Sequence, residues 1–163
     1  MEATYKISEK DYVKASQLYS QLEKPAKLRY SVAIPILLVV SVISDSSTLK
    51  YACIFAIIGG ILGHLIQQHL YIPWNAKKIY KKHKTAHEQI AVKSTDEGII
   101  FKSANGKGML HWKDICYWKE SSELVLVYQA PNLYHIIPSH IENQGFDLGN
   151  VRELLKIHAK KKT

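Results

Sequence analysis

Eight histidines and two cysteines are the side chains in this 163-residue chain that most readily do chemistry. His64 lies inside an apolar run and is followed by Gln67, Gln68 and His69. An ionisable group in a bilayer-crossing helix is by default a functional hypothesis, here a polar patch for proton or ion passage. The alternative, which we favour, is a neutral imidazole near the headgroups, bonded to Gln68 or to a neighbouring helix. No acidic partner accompanies it in the apolar run, and two helices cannot enclose a pathway without oligomerising.

His83 and His87 are four residues apart and share a helix face. Metal sites need three or four converging ligands, Glu88 points elsewhere, and the surrounding lysines repel a cation, so this pair is read as structural or solvated. His111, His135 and His140 follow no spacing rule. Cys53 sits in the apolar run and Cys116 in the polar part, which implies no disulfide. There is no Gly-rich phosphate loop, Gly-x-Ser-x-Gly, paired-cysteine motif or His-Glu-x-x-His. The expectation is a protein that is not an enzyme and has no metal and no cofactor.

The elements that carry these residues fall into two kinds. Apolar residues concentrate in 28–72, and the rest has charges every few residues. Residues 51–72 hold no formal charge and are long enough, at about 1.5 Å per residue, to cross a hydrocarbon core about 30 Å thick. Residues 28–44 form a shorter apolar run, and the linker between the two leaves room only for a tight reversal. A two-helix transmembrane hairpin is therefore expected over 28–72. Tyr30, Tyr51, Tyr71 and Trp74 fall at its interfaces.

Lys24, Lys27 and Arg29 precede the hairpin, and Lys77, Lys78, Lys81, Lys82 and Lys84 follow it. The positive-inside rule then places both termini in the cytoplasm of a multi-pass inner-membrane protein. The formal charge of +8 is read as topology and attraction to anionic headgroups, with no nucleic acid expected. Residues 1–27 are polar and mixed in charge, unlike a cleavable signal. Gly59, Gly60 and Gly63 make a small-residue stripe that suits close packing on the first helix or, less favoured, homodimerisation through the Gly59/Gly63 face.

Within 1–27, Ala3-Thr4-Tyr5-Lys6-Ile7 alternates like a strand able to join a later sheet. Ser8-Glu9-Lys10-Asp11 starts a helix, with Asp11 placed to reach back to the cap. Residues 73–88 read as a basic juxtamembrane helix. From residue 89 to 163 the apolar period is two: about six short strands are marked by Ile90/Val92, Ile99/Phe101, Leu110/Trp112, Ile115/Tyr117, Leu124/Leu126/Tyr128 and Tyr134/Ile136. Turn signals separate them at Asp96-Glu97-Gly98, Asn105-Gly106, Glu120-Ser121-Ser122-Glu123 and Pro131-Asn132. A helix over 147–162 follows, with Leu148, Val151, Leu154, Leu155 and His158 on one face and Asn150 with Glu153 resembling a capping pair. The fold class is α+β: a membrane hairpin plus an antiparallel meander or partial barrel, capped by a helix and pleckstrin-homology-like in outline.

Asp96-Glu97-Gly98-Ile99, Trp112-Lys113-Asp114-Ile115 and Ile136-Ile137-Pro138, placed after an apolar hairpin and before a terminal helix, resemble the pattern of the YcxB-like bacterial membrane proteins. Ser139-His140 stands where such proteins carry a basic pair, a departure at that edge. The resemblance implies a cytoplasmic pleckstrin-homology-like domain on a membrane anchor and no particular activity. On the residues themselves, Gly98 suits a turn needing positive φ, Trp112 suits the core, and Asp114 suits a cap into the next strand.

The functional expectation is a binding module that presents this domain to a protein or lipid partner. Strand addition at a sheet edge is one way of capturing a protein segment. Two other readings stay open: a membrane-resident immunity protein against a toxin acting at the inner membrane, and an oligomeric ion-conducting hairpin that depends on His64.

Overall fold

The computed structural model describes residues 2–21, 24–82 and 87–162. His83 and Lys84 lie outside them, so the pairing of His83 with His87 is not addressed. The chain divides into two units, Met1–Tyr19 with Pro73–Thr163, and Ser20–Ile72. Residues 1–19 of the expected segment 1–27, with the segments 73–88 and 89–163, thus form one compact unit, and residues 20–72 are an insertion in it.

The first unit begins with strand β1 (Glu2–Lys6) and helix α1 (Glu9–Ser20). Local chemistry fixes the start of α1. Ser8 Oγ receives the Asp11 amide at 3.1 Å, while Asp11 Oδ2 accepts from the Ser8 amide at 3.0 Å and its hydroxyl at 2.7 Å. This reciprocal cap satisfies donors that a helix N-terminus otherwise leaves open. At the other end of α1, Lys119 buries its side chain to 5% exposure. Its Nζ donates to the carbonyls of Leu18 and Tyr19 at 3.3 and 3.2 Å, a cation on the negative end of the helix dipole.

Strand β1 pairs antiparallel with β2 (Gln89–Ser94), and β3 (Gly98–Ser103) and β4 (Gly106–His111) complete a sheet in the order β1-β2-β3-β4. The β3–β4 turn falls on Ala104-Asn105, with Gly106 already paired to Ser103, one residue earlier than Asn105-Gly106 suggested. The second sheet has the order β7-β6-β5-β8, from β5 (Tyr117–Glu120), β6 (Leu124–Ala130), β7 (Leu133–Pro138) and the two-residue β8 (Lys160–Lys161). Its β8 runs parallel to β5, and the other pairs are antiparallel. Helix α5 (Leu148–His158) buries Leu148, Val151 and Leu155 in a core shared with both sheets, α1 and Tyr80 of α4 (Ile72–Lys82).

Several local expectations are corrected. Gly98 does not have positive φ; a Cβ there would lie 2.2 Å from the Leu110 carbonyl oxygen, so close strand approach is what excludes a side chain. Trp112 begins a 3-10 turn with Lys113 and Asp114 instead of continuing a strand. It is core, with Nε1 donating to the Thr95 carbonyl at 3.1 Å. The α5 cap is Asp147, whose carboxylate accepts the Asn150 amide at 2.8 Å; Asn150 and Glu153 do not form the cap. The helix stops at His158 because the chain becomes extended at Ala159 to reach β5.

The second unit holds α2 (Lys24–Ile43) and α3 (Ser47–Ile66), which pack on each other. A π-helical turn (Gln67–Tyr71) follows α3. The continuous helical stretch Ser47–Lys82, mean hydropathy 1.8, is the one helix among the described residues long and apolar enough to cross a membrane. A Cβ built on Gly59, Gly60 or Gly63 would meet nothing within 4 Å.

The Lys119 ammonium is a long-range helix cap, and hydrogen bonds from charged donors are worth about 1.5–3 kcal/mol. Lys119→Ala is expected to destabilise the first unit by about 2–3 kcal/mol and to raise amide exchange in α1 selectively. Lys119→Met, which keeps the aliphatic packing, is expected to cost less. Denaturant titration of the full chain in micelles with hydrogen exchange checks this; equal losses from both variants would mean the ammonium contributes nothing.

Candidate functional site: a groove between two sheet edges

Strands β4 and β7 each have one hydrogen-bonded neighbour, β3 and β6. Between them the first unit carries a groove of about 600 Å³, with Tyr5, Ile90, Phe101, Gly106 and Gly108 from the first sheet facing Tyr134, His135 and Ile136 from β7. The two walls meet where the His135 ring stacks on Phe101, centroids 4.4 Å apart and planes 9° from parallel. Tyr12 of α1 closes one side.

Alternation in β7 explains what the wall presents. Tyr5 donates its hydroxyl to the Ile136 carbonyl at 2.8 Å, so Ile136 points its backbone away from β6 and that acceptor is already used. The other wall is barer. Gly106 and Gly108 have open space where a Cβ would stand, which leaves the β4 backbone approachable.

The groove's titratable groups are held neutral. Burial keeps His135 below the ordinary imidazole value. Tyr134 is pushed up to about 12, first by burial and then by the nearby Tyr12 and Tyr19 hydroxyls, with a hydrogen bond to Ser16 opposing. Burial also raises Tyr5 and Tyr12. Lys102 alone among the groove residues carries a charge. Neutral rings, hydroxyls and an uncovered strand edge suit recognition of an uncharged extended segment; they supply no activated nucleophile.

Of the histidines weighed in the sequence only His135 lines this groove, and its spacing points to no role; the other lining residues named there, Tyr5, Ile90, Phe101, Tyr134 and Ile136, read only as strand positions. Lys77, Lys78, Lys81 and Lys82 are exposed on α4 opposite buried Ala76 and Tyr80, with Lys77 near Glu9 at 3.9 Å and Lys78 over the Trp74 ring at 5.2 Å. Gly98, Trp112 and Asp114 sit at the far ends of β3 and β4, and Pro138 ends β7. His64 lines a separate space of about 430 Å³ between α2 and α3, with Lys27, Tyr30 and Gly60. His87 packs edge-on against Tyr80. Among the described residues no three His, Cys, Asp or Glu side chains converge to hold a metal.

The family model of the YcxB-like proteins matches residues 95–155. That segment, less than half of the chain, is similar to this family. No curated protein and no solved structure matches the chain. The YcxB-like segment runs from the β2–β3 turn into α5 and contains the three motifs that carried the resemblance. It supplies β3, β4 and β7 to the groove, whereas Tyr5, Tyr12 and Ile90 come from outside the match.

Because the folded state holds His135 neutral, the unfolded chain binds its proton first as pH falls. Stability contributed by this site is full above about pH 6.5 and is lost as pH drops through and below that value. Glu120 is held low by Lys161 and Arg152 against its own burial, so its contribution is lost only below the ordinary carboxylate range. His135→Phe, which keeps the stack, is expected to flatten the upper limb and leave the lower one. Unfolding curves from about pH 7 down to about pH 2 would show this, and an unchanged upper limb would exclude His135 as its source.

Proposed function

We propose that this chain is a membrane-anchored, non-enzymatic binding module whose groove captures an extended, largely uncharged segment of a protein partner. The observation that carries the reading is the groove's placement beside an uncovered strand edge, β4, with glycines at two of its positions. A peptide laid there gains backbone hydrogen bonds from β4 and side-chain contacts from Phe101, Tyr134 and His135. An anionic headgroup is the poorer fit, since one lysine is all the positive charge the groove offers.

The anchor in this proposal is the two-helix hairpin of α2 and α3, multi-pass in the inner membrane with both chain ends in the cytoplasm. Its support is the apolar surface both helices leave exposed, including Val39, Val42, Ile43, Phe55 and Leu62, and the basic residues flanking it. The domain is read as pleckstrin-homology-like, supported by two small sheets and a terminal helix around one core.

Single cysteines at Ser47, Asn105 and Lys162, in a chain lacking Cys53 and Cys116, separate the topologies. Labelling by an impermeant maleimide in intact cells is expected at Ser47 alone. Reaction at Asn105 or Lys162 would put the domain outside and end the cytoplasmic reading.

The groove is tested by photocrosslinking the full chain in its native membrane from Leu133, on the groove rim, and from Ile157, an equally apolar exposed residue on α5. A discrete protein adduct is expected from Leu133 and not from Ile157. Gly106→Val with Gly108→Val, which fills open space and so leaves the fold intact, is expected to reduce it about tenfold. Indistinguishable adduct patterns from the two positions would remove the groove as the binding site.

A further inference from the structure

A second depression, about 500 Å³, lies on the first unit where the end of β1, the first turn of α1, the β5–β6 loop and the 3-10 turn after β7 converge. Its character is opposite to that of the groove, and the two share no residue. It brings together Lys6, Lys10 and His140 with the hydroxyl-bearing Ser8, Ser122 and Ser139.

Two acids share the depression, and both are engaged. Asp11 Oδ2 takes two hydrogen bonds from Ser8, and Glu123 pairs with Lys14. Lys6 and Lys10 have no ion-pair partner among the described residues. The Ser139 hydroxyl is shut off from solvent with no hydrogen-bond partner among the described residues, although the Ser139 amide is tied to the Glu123 carbonyl at 2.8 Å. A buried hydroxyl left without a partner is a cost that a bound acceptor would relieve.

We propose that this depression is a phosphomonoester site, with Lys6 and Lys10 supplying charge, Ser139 and Ser122 donating hydroxyl hydrogen bonds, and the imidazole of His140 completing the rim. Phosphate oxygens accept from ammonium and hydroxyl donors with charge assistance, and two lysines from one short stretch of chain give the charge without a guanidinium fork. The positive end of α1 adds to the same field. Such a group reaches the protein either on a lipid headgroup or on a soluble phosphate ester.

The full chain in non-ionic micelles is titrated by calorimetry with inorganic phosphate and, separately, with dihexanoyl phosphatidic acid, which carries the same phosphomonoester. Saturable binding of at least one is expected, weakened about tenfold by Lys6→Ala with Lys10→Ala and about threefold by Ser139→Ala. Lys113→Ala with Lys156→Ala, exposed lysines of the first unit outside this depression, serves as a control that leaves it unchanged. Comparable affinities assign the site to soluble phosphate, and much tighter lipid binding assigns it to a headgroup. Lys10→Gln alone, on an exposed side chain, guards against a folding defect and is expected to weaken binding in the same direction. Absence of saturable binding by both probes, or binding that survives the Lys6/Lys10 substitution in a folded chain, overturns the proposal. The groove reading is untouched by either result, because Leu133 crosslinking draws on other residues.

Discussion

The pairing of Glu2–Lys6 with Gln89–Ser94 is the contact through which the two parts of the first unit become one sheet, although the whole apolar insert separates them along the chain. Closing so long a loop costs entropy that grows slowly with length, but the local contacts must still outweigh it. They do so at three points. Ala3 and Tyr5 bury their side chains in the common core, Tyr5 and Tyr80 bond carbonyls of β7 and of the chain after β1, and Lys119 holds the end of α1. The groove depends on this closure, since Tyr5 and Tyr12 belong to the N-terminal portion and make part of its lining.

A second closure acts at the other end of the chain. Lys160–Lys161 add a short parallel strand beside β5, with Lys161 bonded to Glu120 at 2.7 Å and placed 4.6 Å over the Trp118 ring. Arg152 of α5 donates to the same Glu120 at 2.6 Å and to Glu142 at 2.8 Å, so one half-buried carboxylate gathers the helix, the strand and the tail. Lys162 lies over Tyr117 at 4.1 Å. The tail lysines, which in sequence read as part of a charge directed at lipid, are thus used largely within the protein. The same is true of Lys14, Lys77 and Lys119. Net charge counted from composition overstates what is available to an external anion, and the unpaired pair at Lys6 and Lys10 matters more for that reason.

What was legible in the sequence was what short-range chemistry determines. Ser8 and Asp11 are three residues apart, so their cap can be read directly. Strands β2 to β7 follow from period-two patterning, and the α5 face follows from helical spacing. Errors arose where a local motif had a non-local cause. Gly98 looked like a turn glycine, yet its constraint is the Leu110 carbonyl on the neighbouring strand. Lys119 carried no local signal of its role, because its acceptor at Tyr19 is 100 residues away. The groove was missed for the same reason: Phe101 and Tyr134 satisfy a core pattern, and only the tertiary meeting of β3 with β7 makes them a wall. Gly106-x-Gly108 was the available signal, because two glycines in one exposed strand leave a backbone uncovered.

The physical contrast between the two depressions bears on how one small domain could recognise more than one thing. The groove holds its imidazole neutral and its phenols protonated, and a charge entering it would lose hydration with little return. The depression around Lys6 and Lys10 is open to water, so an anion there would remain solvated while it meets two cations. Under the two proposals, apolar and anionic ligands would be sorted by dielectric environment before any specific contact is made. Both surfaces draw on the N-terminal segment, Tyr5 and Tyr12 for one and Lys6 and Lys10 for the other. Because β1 alternates its side chains, adjacent residues of one strand face opposite sides and can serve the two surfaces at once. Loss of the β1–β2 pairing would then disable both together, which makes that pairing the point where folding and recognition are the same requirement.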